Sequence, residues 1–430
     1  MTKINNFIEK NCYNILLIFL FLQPFLDIVT AISIKYFAIE LTIGSITRLL
    51  FFLFCLYYLF FLSNKNKKNR IIIAIFLNYI IIFSLLILKF KDSSILFYEL
   101  KNLLNTFYLP FILLAFIQMF KQYNISFPVK IISYLYFIYI FFIIVPTLTN
   151  TSFLSYSHSK VGTVGWFLSA NAVGNILSIL YPIVFIYFFK YTKNNILKCL
   201  FIILTLYIFT SIGTKAPILS LGIGIMIYFL YFICFTIKKR KYKHLIASIF
   251  LVVILTISSC FILPKTSFYK NLEIHKNYLG LEHYTDVFTN YDAINQFIFS
   301  ERLTFLKNTH QSYVHSNLLE KFFGIGYIEN YHKYNESIKT VEIDYADIFY
   351  RHGIIGFILY FSIFLIPLCS CIKKAFKKLT IENISFLISI LLTLLLSLFS
   401  GHALITPAVS IYICLLLAMY LTTNEYLKID

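Results

Sequence analysis

The stretch IIIAIFLNYIIIFSLLIL, residues 71–88, carries no charged side chain anywhere along its length. A helix needs about 20 mainly apolar residues to cross the hydrocarbon core of a bilayer, and this stretch is close to that length. Its apolar residues do not alternate with polar ones, as they would in the strands of a membrane β-barrel. We therefore interpret the stretch as one membrane-spanning helix.

The composition of the whole chain agrees with this interpretation. Of its 430 residues, 59% are hydrophobic and only 13% are charged, and the mean hydropathy is +0.80. Soluble domains carry about 25% charged residues, so a soluble fold could not cover this much apolar surface. We expect an all-α polytopic integral membrane protein of about 12 transmembrane helices with a long, partly helical extracytoplasmic loop. The predicted spans are 14–33, 40–62, 71–88, 103–120, 131–149, 166–189, 196–213, 216–237, 245–263, 348–371, 383–400 and 404–422.

The distribution of Lys and Arg predicts the orientation of the chain. Cytoplasmic loops carry an excess of these residues. With both termini in the cytoplasm, the inner loops, the tails and their flanks carry more than half of the 37 Lys and Arg. The net charge of +18 is thus mostly a signal of topology, and no nucleic-acid partner is needed to explain it. We expect helices 1–9 in residues 1–263, an extracytoplasmic loop at 264–347 and helices 10–12 in residues 348–430 of a protein of the cytoplasmic membrane.

The connection between the ninth and tenth spans differs in composition from the rest of the chain. Residues 264–351 contain more than half of the 19 acidic residues and no Cys. Ser300 predicts the capped start of a helix, and Gly324 its end. Residues 342–352 predict a second helix that runs into the tenth span. One face of that helix carries Asp344, Asp347 and Arg351.

Polar residues inside the predicted spans are candidates for function because they are costly in lipid. Arg48 lies about eight residues into its span and either meets an anion or extends to the interface. Asp27 follows Pro24 and needs a partner, which is either Arg48 or a buried polar network. Asn171 and Asn175 share one helix face, which serves either close helix packing or the lining of a polar cavity.

Other candidates lie at the outer ends of predicted spans or in the long outer loop. Lys215 is either a phosphate ligand or an ordinary loop lysine. Arg302 and Arg351 offer planar sets of donors that suit phosphate oxygens, and His352 can exchange a proton near neutral pH. The chain has no pair of Cys with zinc spacing and no nucleotide-binding motif, so we expect neither a metal nor a cofactor.

Short strings spread over most of the chain add a further signal. They are Gln23-Pro24-Phe25-Leu26-Asp27, Thr47-Arg48, Gly213-Thr214-Lys215, Ser300-Glu301-Arg302, Phe323-Gly324-Ile325-Gly326-Tyr327, Glu342-Ile343-Asp344-Tyr345 and Gly353-Ile354-Ile355-Gly356. Together with the predicted spans and the long outer loop, these strings resemble the O-antigen polymerase/ligase family. The resemblance extends to the capsular or exopolysaccharide polymerases of Gram-positive-type bacteria.

The resemblance implies a metal-independent glycosyl transfer at the outer face of the membrane. The donor would be a glycan on undecaprenyl diphosphate and the acceptor another lipid-linked repeat unit. Membrane lipid, a flippase and a chain-length regulator would be further partners. The candidate diphosphate ligands are Arg48, Lys215, Arg302 and Arg351. The candidate catalytic residues are Arg302, Asp344, Asp347 and His352, and the candidates for a polar cavity are Asp27, Asn171 and Asn175.

Other functions stay open at this point. A ligase of the O-antigen type would transfer a finished glycan to an acceptor with the same fold. A flippase or transporter of lipid-linked oligosaccharides would suit the many spans, although the two similar halves typical of transporters are not visible. A non-enzymatic membrane scaffold would leave Arg48 and Asp27 unexplained.

Overall fold

The computed structural model describes residues 2–39, 41–63, 67–156, 160–240, 261–328 and 340–422. Within these ranges the chain is nearly all helical, and Leu154 and Thr163 form an isolated antiparallel β-bridge. The helices are α1 Thr2–Phe37, α2 Ile43–Tyr57, α3 Lys67–Phe90, α4 Leu96–Gln122, α5 Val129–Leu148, α6 Ala170–Ile186, α7 Asn195–Ser211, α8 Lys215–Lys238, α9 Ser267–Tyr278, α10 Tyr291–Phe297, α11 Arg302–His315, α12 Leu318–Phe323, α13 Asp344–Lys377, α14 Ile381–Phe399 and α15 Pro407–Thr422.

Nine helical segments in the described part of the chain are long and apolar enough to cross a membrane. They are Asn6–Phe37, Ile43–Leu62, Lys67–Phe90, Ser93–Gln122, Val129–Leu148, Ala170–Tyr191, Lys215–Lys238, Asp344–Lys377 and Ile381–Phe399. The helices α7 and α15 are apolar but shorter. The chain is therefore a multi-pass helical membrane protein. The predicted span 245–263 lies almost wholly outside the described residues, so the count of 12 spans and the domain limits stay predictions.

The predicted seventh and eighth spans are two helices, α7 and α8, joined by a short turn. Gly213 lies in the turn between them with a φ of 77°. A side chain there would be strained, and its Cβ would come within 2.6 Å of the carbonyl oxygen of Val161. The turn thus depends on glycine.

The chain divides into two compact units. Unit 1 consists of 1–127, 294–374 and 393–426, and unit 2 of 128–293, 375–392 and 427–430. In unit 1, α4 packs along α15, and the residues of α15 from Ala408 to Tyr420 are all buried. A helix that is apolar on every side belongs in the interior of a bundle. This pair forms the core against which the other parts of unit 1 pack.

Helix α13 is broken at Gly353, where φ is 65° and ψ is −175°. The break leaves the carbonyl groups of Tyr350 and Arg351 without partners in their own helix. The backbone N–H groups of Ile325 and Gly326 donate to these carbonyls at 3.0 and 3.1 Å. Irregular backbone within a membrane span requires such replacement bonds, because lipid offers none. The predicted helix through 342–352 is thus confirmed, and it joins the tenth span through a break.

The predicted Ser cap of α11 is wrong. Ser300 and Glu301 both have left-handed backbone, with φ values of 51° and 67°. Glu301 occupies the N-cap position of α11, and its side chain makes no capping bond. The chain between Ser300 and Gly324 forms two helices, α11 and α12, rather than the single helix predicted. Gly324 ends α12. The tertiary contacts of the next residue, Arg302, which are described below, determine this local geometry.

In unit 2, α8 approaches α6 at a glycine. A Cβ at Gly224 would overlap the hydroxyl group of Tyr181, which donates a hydrogen bond of 2.9 Å to the carbonyl of Ser220. Gly222 lies two residues earlier on the same helix, and its Cβ would meet no described atom within 4 Å. The two glycines therefore differ in packing but not in secondary structure.

We expect Gly224→Ala to lower the unfolding midpoint of the detergent-solubilised protein. The substitution displaces the Tyr181 ring and breaks a hydrogen bond, at a cost of about 2 kcal/mol. The matched control Gly222→Ala should leave the midpoint unchanged or raise it, because Ala favours a helix by about 1 kcal/mol over Gly. Equal midpoints for the two variants would contradict the packing described here.

Candidate functional site

Arg302, Glu342 and His402 form a charged cluster in unit 1, which we call the Arg302 cluster. The Nη2 group of Arg302 donates to Oε2 of Glu342 at 2.8 Å, and Nε2 of His402 lies 3.9 Å from Oε1 of the same carboxylate. The guanidinium also donates to the carbonyls of Phe399 at 2.6 Å and Ser400 at 3.0 Å. Arg302 is buried, whereas the side chains of Glu342 and His402 are 28% and 31% exposed. The two titratable groups of the cluster therefore reach the surface.

The backbone of the Arg302 cluster is strained. Among the described residues, eight that are not glycine have positive φ, and four of them belong to this cluster or precede it directly. They are Ser300, Glu301, Glu342 and His402. Left-handed backbone is costly for such residues and persists only where surrounding contacts impose it, typically at functional sites.

Asp344 holds the backbone of His402 in the Arg302 cluster. Its carboxylate accepts three backbone hydrogen bonds, from His402 at 2.8 Å, Ala403 at 2.9 Å and Leu404 at 2.7 Å. The side chain is fully buried. Hydrogen bonds to an ionised acceptor are among the strong ones in proteins. These contacts favour a positioning role for Asp344 over the catalytic role expected from the sequence.

Asp347 holds the backbone of Glu342 in a similar way. Its two carboxylate oxygens accept the backbone N–H groups of Val341 at 3.0 Å and Glu342 at 2.9 Å. One of them also lies 3.6 Å from Nε of Arg351, one helical turn further along α13. Asp347 is fully buried. Its contacts too indicate positioning of Glu342 rather than a direct encounter with substrate.

Arg351 and His352 lie inside unit 1, away from its surface. Both are completely buried. Arg351 donates to the carbonyl of Gly326 at 3.1 Å, and its guanidinium stands over the ring of Tyr327. The hydroxyl of the same tyrosine lies 3.1 Å from Nε2 of His352. A diphosphate could reach Arg351 only if these segments moved, so the contacts do not favour its expected role as a ligand.

A buried ion pair that sequence reasoning missed holds the segment around Gly326. Lys91 and Glu99 lie 2.9 Å apart and are almost inaccessible to solvent. Lys91 also donates to the carbonyls of Ile325 and Ile328 at 2.8 and 2.9 Å. Glu99 accepts the N–H groups of Tyr327 and Ile328, both at 2.9 Å. The pair therefore satisfies the backbone of a loop that would otherwise bury unpaired polar groups.

Arg48 is paired inside unit 1. Its Nη2 group contacts Oδ1 of Asp27 at 2.5 Å, and its Nε group donates to Oε1 of Gln23 at 2.9 Å. The sequence left two alternatives open for the partner of Asp27, and in the structure the partner is Arg48. The positive charge of Arg48 is thus compensated within the protein, which weakens its expected role as a diphosphate ligand.

Lys215 lies in a pocket of unit 2, which we call the Lys215 pocket. Three segments form its walls: the connection after α5, the start of α8 and the helix α9. Asn271 of α9 fastens them, because its side chain bonds both backbone groups of Val161 and the carbonyl of Gly213. The residues that line the pocket are Tyr156, Lys160, Gly213, Lys215, Phe268, Asn271, Leu272 and His275.

The lining of the Lys215 pocket is basic. Among the residues that the structure describes, its lining includes Lys160, Lys215 and His275 and no carboxylate. Burial lowers the pKa of Lys160. Burial, followed by the charges of Lys215 and Lys160, lowers the pKa of His275 to about 4. A pocket of this kind attracts anions, since each cation raises the positive potential at the others.

The two asparagines of the sixth span also lie in unit 2. Asn175 is fully buried in α6, and Asn171 is half-buried one turn earlier. Between them, Gly174 lies so close to Pro217 of α8 that a Cβ would approach the proline ring to 2.9 Å. These contacts favour helix packing over the lining of a polar cavity.

The comparison with protein families decides the class of the protein. A family model described as O-antigen ligase like membrane protein matches residues 9–286 and 282–426. The chain belongs to this family. Comparisons with curated proteins and with solved structures find no match.

Membership of the O-antigen ligase like family fixes the chemistry at a general level. The protein is a membrane enzyme of the class that polymerises or ligates glycans. Among the residues that the structure describes, no group of three or more His, Cys, Asp or Glu side chains is placed to hold a metal ion. Sequence reasoning did not select four residues of the Arg302 cluster and the Lys215 pocket as candidates. They are Glu342, His402, Lys160 and His275.

The charges of the Arg302 cluster should make stability depend on pH. Burial opposes ionisation of Glu342, but His402 and Arg302 outweigh it and lower its pKa from 4.5 to about 2. Burial likewise opposes protonation of His402, but Glu342 and then Asp344 outweigh it and raise its pKa above 6.5. The contribution of Glu342 is complete above about pH 4.5 and is lost as pH falls through its folded pKa. That of His402 is complete below about pH 6.5 and is lost as pH rises through its folded pKa.

We therefore expect a stabilising contribution from this pair that is complete between about pH 4.5 and 6.5 and declines at higher pH. His402→Gln should remove the decline on the alkaline side. The measurement is the unfolding midpoint in detergent between pH 5 and 9, with His310→Gln, an exposed histidine of α11, as control. An alkaline decline of equal size in wild type and His402→Gln would show that the pair does not form.

Proposed function

We propose that the protein polymerises oligosaccharide repeat units carried on undecaprenyl diphosphate at the outer face of the cytoplasmic membrane. The observation that carries this proposal is the Arg302 cluster, where a carboxylate lies between two basic groups on left-handed backbone. Strain of this kind is retained where function needs a fixed geometry. The family supplies the general class of reaction, which is glycan transfer at a membrane.

In the proposed reaction His402 is the base and Glu342 its carboxylate partner. Neutral His402 accepts the proton of the acceptor hydroxyl, and Glu342 orients the ring and stabilises the imidazolium that forms. Glu342 itself is too weak a base, because its pKa is about 2. Arg302 acts as a positioning residue, since its donors hold Glu342 and two backbone carbonyls.

The bond changes follow from this assignment. The acceptor oxygen bonds to the anomeric carbon of the donor glycan, and the bond from that carbon to the diphosphate oxygen breaks. The hydroxyl proton passes to His402 and then to solvent. The electron pair of the broken bond leaves with undecaprenyl diphosphate, which gains one negative charge. Since the donor is already activated, the proposal includes no cofactor.

The departing diphosphate needs cations, which lower the barrier by stabilising the charge that develops. Lys160 and Lys215 line one basic pocket of unit 2 and are candidates for binding a diphosphate. Arg48 and Arg351 are less suitable, since each contacts a carboxylate of its own.

We expect His402→Gln and Glu342→Gln to reduce glycan polymerisation by about 10²-fold or more, the usual effect of removing a general base or its partner. The variants would replace the chain in a cell that depends on it, and surface glycans would be separated on a gel. The expected pattern is a ladder that collapses to single repeat units. The control His310→Gln, which lies outside the cluster, should give long chains.

Long chains of normal length from a stably expressed His402→Gln variant would contradict the proposal. The second candidate function is ligation, which the description of the family model favours. In that case the same variants would accumulate full-length chains on the lipid carrier. The gel thus separates polymerase from ligase. A flippase transfers no glycan, so the purified protein in detergent would form no transfer product.

A further inference from the structure

The helix α12, Leu318–Phe323, exposes apolar side chains to its surroundings. Leu318, Leu319 and Phe322 are between 40% and 69% exposed. The exposed residues of the preceding helix, α11, are by contrast all polar except Val314. Two consecutive helices of unit 1 therefore present surfaces that suit different surroundings, water for α11 and an apolar medium for α12.

The charged residues of α12 lie on the opposite side of the helix. At 3.6 residues per turn, the three exposed apolar residues share one face, whereas Glu320 and Lys321 fall on the other. Both charged residues are less exposed than the three apolar ones. The carboxylate of Glu320 accepts the backbone N–H of Asn317 at 3.2 Å and closes a capping box. A helix on a protein surface in water turns its charged face outward, and α12 does the reverse.

The position of α12 along α3 places it beside a membrane-spanning segment. The ring of Phe323 lies 6.0 Å from that of Tyr79, whose hydroxyl donates a hydrogen bond of 3.1 Å to the carbonyl of Phe323. Tyr79 precedes the end of α3 at Phe90 by 11 residues, or about 16 Å along the helix axis. A tyrosine side chain is much shorter than that distance. The contact therefore lies within the length of the span rather than beyond its end.

The exposed face of α12 adjoins apolar surface on two neighbouring spans. The backbone of Phe322 lies against Gly353 of α13, where a Cβ would come within 2.5 Å of the Phe322 carbonyl. Further along α13, Ile358 is 60% exposed, and so is Leu85 of α3. Exposed apolar side chains on a membrane-spanning helix face lipid. The apolar face of α12 thus continues a lipid-facing surface.

We propose that α12 is inserted into the lipid leaflet that surrounds the Phe90 end of α3, with Leu318, Leu319 and Phe322 in contact with acyl chains. Amphipathic helices enter a bilayer in this way to a depth of about 5–10 Å. The bilayer then anchors the segment directly before Gly324, and the residues that follow fill the break of α13. The loop that the sequence predicts outside the membrane thus re-enters lipid at α12. This placement does not depend on the proposed reaction.

Fluorescence quenching in nanodiscs tests this proposal, because Trp166 is the only tryptophan of the chain. Phe322→Trp in a Trp166→Phe background carries one reporter on the exposed face of α12. The nanodiscs contain phosphatidylcholine with or without bromine on its acyl chains, and no polyprenyl lipid. The reporter should lose at least about half of its emission to the brominated chains, and little to iodide in the water. The matched control, Lys307→Trp in the same background, lies on the exposed side of α11 and should respond to iodide instead.

Equal quenching of both reporters by iodide, without an effect of the brominated chains, would show that α12 lies in water and would overturn the proposal. Protection of the Phe322→Trp reporter from both quenchers would overturn it too, since protein, such as a second copy of the chain, would then cover the face. Leu319→Trp reports on the same face and replaces Phe322→Trp if that variant does not fold. Because the nanodiscs lack polyprenyl lipid, quenching by brominated chains identifies the bilayer itself as the occupant.

Discussion

The three hydrogen bonds that the buried carboxylate of Asp344 accepts are the interaction on which the candidate site depends. They fix the backbone at 402–404, which connects α14 to α15. A buried carboxylate costs several kcal/mol in lost hydration and is stable only where donors replace the water. Here three backbone donors do so, and the left-handed conformation of His402 is the geometric consequence.

Asp347, one helical turn later, also accepts a backbone hydrogen bond and so holds the backbone of Glu342. Two acidic residues one turn apart on α13 therefore position the imidazole and the carboxylate of the Arg302 cluster, which come from distant parts of the sequence. A second constraint acts further along α13, where the helix breaks at Gly353. The loop that fills this break is itself held by Lys91 and Glu99. Asp344, Asp347, Lys91 and Glu99 are thus buried charges that position backbone, whereas Glu342 and His402 of the Arg302 cluster are partly exposed.

Much of the fold could be predicted from the sequence, because an apolar run of about 20 residues has few alternatives to a membrane helix. The helix through 342–352 also followed from spacing. The pair of Asp27 with Arg48 was one of two alternatives that the cost of charge in lipid left open. The Ser300 cap failed because capping is a local rule, and contacts of Arg302 with residues about 40 and 100 positions away override it. Local pattern could not foresee them.

The candidate site was harder to predict than the fold. His402 is a lone histidine in a short connection, and nothing in its neighbourhood distinguishes it from a loop histidine. Glu342 stood in a recognised string, yet Asp344 and Asp347 attracted the catalytic assignment because their regular spacing on one helix face is visible in sequence. In the structure both carboxylates accept backbone N–H groups, which favours a positioning role. His275 and Lys160 join Lys215 only through tertiary contacts made by Asn271.

The most direct test of the account is hydrogen exchange at the amides of residues 402–404 in wild type and in Asp344→Asn. The asparagine keeps the shape of the side chain but loses its charge and one acceptor oxygen. Hydrogen bonds to a charged group contribute about 1.5–3 kcal/mol, so exchange at these amides should quicken by roughly tenfold or more, while amides of α4 and α15 keep their protection. Unchanged exchange at 402–404 in Asp344→Asn would contradict the claim that this carboxylate holds the candidate site in place.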